Sequence, residues 1–404
     1  MNELLSNVDA GLPLVLVLLA LLGLRMRLSP RAWLFIAAPP QRVFDLLDLR
    51  DGDRQRWHRT DVSVALTDPA SKTYTIRYAS TGSAGTPRVF HAAFRVAEHQ
   101  PPRRLVLERA GLEGKSLNNE LLSIVGDLTP EGDGTRLTLT YHWGPRPLIA
   151  QLLARTDLWG SIYRLKSVAE TGTASTRADS WISAGVALVT GLVTLGAFCL
   201  LFGWTVAVLI AAALFVHEFG HLLAFRMAGQ PWGRLVFLPF LGALAVPRQA
   251  YETQGESVFS ALMGPGFSLV LPALAVIALW TGAASALWLT QLGMVAAALN
   301  LFNLLPVEPL DGGVALRSVF QRLLGASARF ALIAAGALLC LAGWIIKEPL
   351  LMVFGGLSIA VNFRPRAIDV GLTPLGGLGV ALSVAFYVLI AALHITAIGV
   401  LRGA

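Results

Sequence analysis

Cysteine is almost absent from this chain: two in 404 residues, Cys199 and Cys340. Both fall in apolar runs with no CxxC pairing, which excludes a disulfide framework and a thiolate metal site. Charge is scarce too. Asp, Glu, Lys and Arg make up 14% of the residues, where soluble domains carry about 25%. Most of that charge lies between Arg25 and Asp179. The net charge of +7 therefore forms no basic stripe with interleaved aromatics, and nucleic acid is excluded as a partner.

What the chain has in quantity is apolar sequence: 55% hydrophobic residues and a mean hydropathy of +0.63. Runs at 182–202, 204–225, 258–281, 286–305, 330–346, 350–361 and 377–401 have the composition of membrane spans. The 350–361 run is short for a crossing, which needs about 20 residues. A further apolar run, 11–24, lacks a positive start and is followed by Arg25, Arg27 and Arg31. A secretory signal has its charge on the other side, so this run is expected to be an N-terminal anchor. Threading the spans alternately puts nearly all arginines on one side, leaving Lys347 and Arg402 on the other. The positive-inside bias makes the first side cytoplasmic.

Inside the second of these spans lies His217-Glu218-Phe219-Gly220-His221. On a helix, two His four residues apart share one face, and both imidazoles reach one metal ion. Glu218 between them is placed to activate a water. Ionisable groups at membrane depth are expensive and mark functional sites. Two His leave a catalytic zinc site one protein ligand short. A second segment, Asn303-Leu-Leu-Pro-Val-Glu-Pro-Leu-Asp-Gly-Gly313, follows a later apolar run. Asp311 offers a carboxylate there; taken alone it could equally cap the helix that follows, and Asn303 could be an interhelical hydrogen-bonding group.

Together the two motifs resemble the site-2 protease family of intramembrane zinc metalloproteases, which carries HExxH on one transmembrane helix and NxxPxxxLDG on a later one. The matches are His217, Glu218 and His221, then Asn303, Pro306, Leu310, Asp311 and Gly312. The stretch 261–268 is similar to the family's intervening Gly-Pro segment, and the resemblance covers residues 184–363. It implies zinc held by His217, His221 and Asp311, Glu218 as general base, Asn303 as oxyanion donor, and a transmembrane protein segment as substrate. One departure is Glu308, where many relatives carry proline or an apolar residue; it is expected to face water. The broken apolar stretch VFLPFLGALAV at 236–246 reads as a re-entrant or strand-like loop or as an amphipathic surface loop; the resemblance implies a membrane-associated hairpin near the active site. His394 in the last span is expected to be an interhelical polar contact.

Residues 30–172 are a different kind of sequence, polar and alternating with period two. Strands are expected at 33–36, 63–67, 73–78, 89–96, 104–108, 121–128 and 135–142. A short helix is expected at 41–49 and a long amphipathic one at 146–170. This α+β order resembles the helix-grip superfamily of START-like and polyketide-cyclase-like domains, on the stretch FIAAPPQRVFDLLDLRDGDRQRWH. The resemblance implies a curved sheet wrapped around the long helix and an apolar cavity for a lipid or another apolar ligand; the domain is read as a ligand- or substrate-handling module, with a structural platform as the alternative. The scattered histidines 58, 91, 99 and 142 form no catalytic constellation.

The expected fold class is thus a polytopic α-helical membrane core joined to a soluble α+β helix-grip domain. Residues 1–29 form an N-terminal transmembrane anchor, 30–172 the soluble domain, 173–181 a linker and 182–404 the multi-span metalloprotease domain. The expected location is a bacterial inner membrane with the soluble domain cytoplasmic. A catalytically silent lipid sensor is the alternative; its relatives usually lose a ligand or the base, and here all are present. The sequence leaves the oligomeric state open.

Overall fold

The computed structural model describes residues 24–27, 29–49, 57–58, 61–81, 87–110, 121–175, 177–239, 242–249, 251–282, 286–363 and 372–403. The expected N-terminal anchor at 11–24 lies outside them except for Leu24. The chain divides into two compact units, the first ending at Val186 and the second starting at Ala187.

The first unit is built on alternation. In strand β8 (Gly134–Trp143), Leu137 and Leu139 point to the buried face while Arg136, just before them, is exposed, in keeping with period two on a half-buried sheet. The other strands are β2 (Arg31–Ile36), β3 (Asp61–Asp68), β4 (Thr73–Thr81), β5 (Pro87–Gln100), β6 (Arg104–Arg109) and β7 (Leu121–Glu131). They form a seven-stranded antiparallel sheet in the order β2-β8-β7-β6-β5-β4-β3. Helix α1 (Pro40–Leu47) starts with proline in its first turn, where the missing N–H costs nothing. It stops two residues before the 41–49 reading predicts. Asp48 turns extended, and its buried carboxylate takes His99 Nε2 at 3.0 Å. Helix α2 (Leu148–Thr171) packs Leu158, Ile162 and Leu165 into the sheet's core with Phe44, Leu137 and Leu139. Its start at 146 is displaced because β9 (Arg146–Pro147) first pairs with β1 (Arg25–Met26). A sheet gripping one long helix is the expected architecture, and a cavity of about 290 Å³ lies between them.

The second unit is helical. Helix α3 (Arg177–Met227) starts in the first unit, continues into the second beyond Val186, and is broken at Gly203, whose φ of 75° and ψ of 166° are non-helical. That break falls between the two spans expected at 182–202 and 204–225. A two-stranded antiparallel hairpin follows, β10 (Arg234–Leu238) with β11 (Gly242–Val246), so the broken apolar stretch is extended at 236–238 and 242–246; residues 240–241 lie outside the described residues. Then come α4 (Gln254–Ser268), α5 (Val270–Trp280), α6 (Ala286–Asn303), α7 (Asp311–Leu324), α8 (Ala328–Ile346), α9 (Pro349–Phe363) and α10 (Gly377–Arg402). The expected single span at 258–281 is two helices meeting at Leu269. Among the described residues four stretches are long and apolar enough to cross a membrane: Arg177–Met227, Gln254–Trp280, Asp311–Ile346 and Gly377–Arg402. The 350–361 run forms α9, 15 residues and shorter than those. Large apolar side chains point outward along these helices, Leu200 at 82% exposed and Leu378 at 75%. A lipid surround accounts for such a coat; water does not.

Candidate metal centre

His217 and His221 lie one turn apart on the second half of α3 and are both buried. Their rings meet nearly edge to face, with centroids 4.8 Å apart. Asp311 arrives from the first residue of α7. It caps nothing: the N-cap is Leu310, and the Asp311 carboxylate turns toward the two rings. His217 Nε2 is 3.1 Å from His221 Nε2 and 3.1 Å from Asp311 Oδ2, and His221 Nε2 is 3.4 Å from that same oxygen.

The protonation pattern of this triangle follows from its neighbours. Asn300, buried on α6, gives its amide N–H₂ to the Ala296 carbonyl at 2.7 Å. Its Oδ1 is thereby left facing His217 Nδ1 at 2.7 Å. An amide oxygen only accepts, so Nδ1 carries the hydrogen. His221 Nδ1 likewise donates to the Ser260 carbonyl at 2.7 Å. In neutral rings both Nε2 atoms then present lone pairs to one carboxylate oxygen. Three electron-rich atoms at such separations repel one another unless a cation lies among them. Tetrahedral zinc with bonds of about 2.0 Å spaces its ligands about 3.3 Å apart. The donor set and its spacing fit that ion.

Close packing brings the elements together. A Cβ at Gly264 of α4 would lie 2.4 Å from His221 Nε2, and one at Gly312 would lie 2.2 Å from the Leu304 carbonyl oxygen. Only glycine lets α4 cover the rings and α7 start this close to the chain that precedes it. Glu218 is buried beside the histidines, and its Oε2 has no hydrogen-bond partner. The backbone N–H of Ala245 on β11 serves its carboxylate. His217, Glu218 and His221 together form a group able to hold a metal ion.

Asn303 is the last residue of α6 and is partly buried. Among the described residues its side chain makes no hydrogen bond to the other four. Asn300 and the Ser260 carbonyl are the contributors that sequence reasoning did not single out. Asn300 had a signal, a lone amide in the apolar run AAALNLF; a backbone carbonyl has none. Glu308 corrects an expectation. It does not face water: it is 4% exposed and its Oε1 meets Arg317 Nη1 at 2.9 Å. Arg317 lies further along α7, and a carboxylate buried this deeply needs such a partner. His394 is an interhelical contact as expected, its Nε2 donating to the Pro265 carbonyl at 3.0 Å.

Partners that orient metal-ligating histidines are typically worth 10–100-fold in metal affinity. Asn300→Leu, which keeps the size but removes the acceptor, is expected to weaken zinc binding by about that factor. Zinc competition with a chromogenic chelator measures it. An unchanged affinity would mean that α3 packing alone orients His217.

No protein-family profile matches the chain. Curated relatives do, among them these two. One, sll0528 from a Synechocystis species, is 31% identical over 159 residues, covering 36% of this chain and 35% of its own. The other, Rip3 from Mycobacterium tuberculosis, is 32% identical over 147 residues, covering 32% of this chain and 35% of its own. Both carry provisional names as zinc metalloproteases, in keeping with the resemblance of the two motifs. The chain spans about a third of the length of these relatives. Among solved structures, the Aha1 dimer from Colwellia psychrerythraea is 18% identical with a TM-score of 0.28, covering 36% of this chain and 98% of that one. The di-domain ARO/CYC protein BexL is 18% identical with a TM-score of 0.28, covering 43% and 58%.

Proposed function

We propose that this chain is a membrane-embedded zinc metalloprotease of the site-2 protease type, hydrolysing peptide bonds in transmembrane segments of protein substrates. One observation carries the reading: His217 Nε2, His221 Nε2 and Asp311 Oδ2 converge within 3.1–3.4 Å of one another beside a buried, unpartnered Glu218 oxygen.

Zinc bound by His217, His221 and Asp311 supplies Lewis-acid activation of water and of the scissile carbonyl. Glu218 is the base. Its free Oε2 takes the proton from the attacking water and later returns it to the leaving amine. The Ala245 N–H holds the carboxylate in place for both transfers. Asn303, at the end of α6, is the proposed donor to the developing oxyanion. Asn300 and the Ser260 carbonyl keep both rings in the tautomer that leaves Nε2 free. A helical peptide bond hides its carbonyl, so the substrate must be unwound locally. The β10–β11 hairpin is two-stranded and leaves outer edges unpaired within its own sheet. An extended segment can add there, with main-chain bonds giving affinity.

Comparative proteomics of cells making the wild type or Glu218→Gln tests the reading. Intact membrane-protein substrates should accumulate with the variant, and their fragments should disappear. Identical fragment profiles would overturn it.

The arginine distribution supports a cytoplasmic placement of the first unit, in a bacterial inner membrane. A cysteine put at Asp133, in the exposed turn between β7 and β8, is then expected to resist an impermeant maleimide in intact cells and to react after lysis. Labelling of intact cells would reverse the orientation.

A further inference from the structure

The cavity of the first unit is apolar over most of its wall, with Leu105, Leu107, Leu121, Ile124 and Leu139 among the lining residues. One part of the wall is polar. Asp157, Ser161 and Arg164 reach it from one face of α2, at spacings of four and three. His58, Tyr78 and Tyr141 line the same cavity. Tyr141 bonds to Ser161.

The arginine there is not open to an anion. Arg164 Nη1 reaches the two Asp179 oxygens at 2.7 and 2.5 Å, Nε donates to the Trp57 carbonyl at 2.9 Å, and Nη2 meets Ser161 Oγ at 3.1 Å. Both partners of the pair are buried. Helix α2 makes room for the carboxylate at Gly160, where a Cβ would lie 2.1 Å from Asp179 Oδ1. The counter-ion is thus built into the domain. Burial, helped by Arg164, pushes the His58 pKa down to about 3, so its imidazole is neutral at physiological pH. Burial also raises Tyr78 and Tyr141 and keeps both hydroxyls protonated. The polar lining that remains consists of hydroxyls, a neutral imidazole and Trp143, whose buried indole N–H has no hydrogen-bond partner among the described residues, with Asp157 opposing any second carboxylate.

We infer that this cavity binds a small apolar molecule with one uncharged hydrogen-bonding head, a hydroxyl or a carbonyl, and discriminates against the carboxylate of the same chain. The volume sets the size. Sites for drug-sized ligands run from about 300 to 1,000 Å³, and this one lies at the small end, below what a two-chain lipid needs. A carboxylate would have to displace Asp179 from a buried, fully bonded guanidinium or remain unpaired in an apolar wall. An alcohol requires neither.

The test uses the full chain in membranes and reads binding, so it stands whether or not the chain cleaves peptides. The probes are a medium-chain alcohol and the matching carboxylic acid, each carrying a diazirine, at a pH where the acid is ionised. After irradiation, labelled peptides are mapped by mass spectrometry. The alcohol should label cavity-lining peptides at least about tenfold more than the acid, equivalent to about 1.4 kcal/mol. Ile124→Trp, which fills the cavity, should abolish that labelling. Asp179→Asn, which releases Arg164, should raise labelling by the acid and leave the alcohol's within about twofold. Equal or stronger labelling by the acid in the wild type overturns the head-group assignment. Cavity peptides unlabelled by the alcohol, or labelling that survives Ile124→Trp, overturns the site. Loss of one partner destabilises a buried ion pair, so Asp179→Asn is scored only if it melts cooperatively; the wild-type and Ile124→Trp arms decide the inference without it.

Discussion

Glu218→Gln is expected to lower cleavage at least about a hundredfold, the low end for loss of a general base, while the protein keeps its fold and about one zinc per chain. The substitution is nearly isosteric and keeps a hydrogen-bonding oxygen for the Ala245 N–H. It removes the one property the mechanism uses, a carboxylate that can accept a proton. A hundredfold loss corresponds to about 2.7 kcal/mol of transition-state stabilisation. The Oε2 atom has no hydrogen-bond partner, so a structural role for it would predict little change in rate. Cleavage of a transmembrane-segment peptide by purified protein in lipid, read together with metal content, separates the two. Near-normal cleavage by a zinc-loaded variant would sink the mechanism.

Zinc content itself should collapse when a ligand is lost. The wild type is expected to hold about one zinc per chain, and His217→Ala or Asp311→Ala to lose most of it after dialysis against a chelator. Each substitution leaves two of three convergent donor atoms, one protein ligand fewer than a catalytic zinc site uses. Glu308→Gln serves as the control. Its carboxylate is paired with Arg317, so the variant should retain its zinc. Full retention after Asp311→Ala would require a different third ligand.

Much of the site was legible in the sequence because its signals are local. The i, i+4 spacing of His217 and His221 puts both rings on one helix face whatever surrounds them. An apolar helix does not carry ionisable groups without a reason. The same locality made the sheet readable, since the apolar Leu137 and Leu139 alternate in sequence with the polar Arg136, Thr138 and Thr140. Local signals are weaker at element ends. The stop of α1 at Leu47 depends on Asp48 finding His99, fifty-one residues away. The start of α2 depends on Arg146–Pro147 pairing with Arg25–Met26.

The sequence by itself determined the two kinds of chain, the apolar helical half and the alternating polar half, and nominated the residues able to hold and use a metal. Hydrophobic periodicity fixes both, because it sets which face of each element leaves water or enters lipid. Tertiary structure decided which nominated groups meet. It brought Asp311 to the histidines, turned the Asn300 amide so that its oxygen faces His217, and supplied the Ser260 carbonyl, an atom every residue has. It also buried Glu308 against Arg317 and Arg164 against Asp179. Each of these outcomes depends on distances between elements far apart in the chain. Those distances are set by packing, glycine contacts and the need to pair every buried charge, and none of them is written in the local pattern.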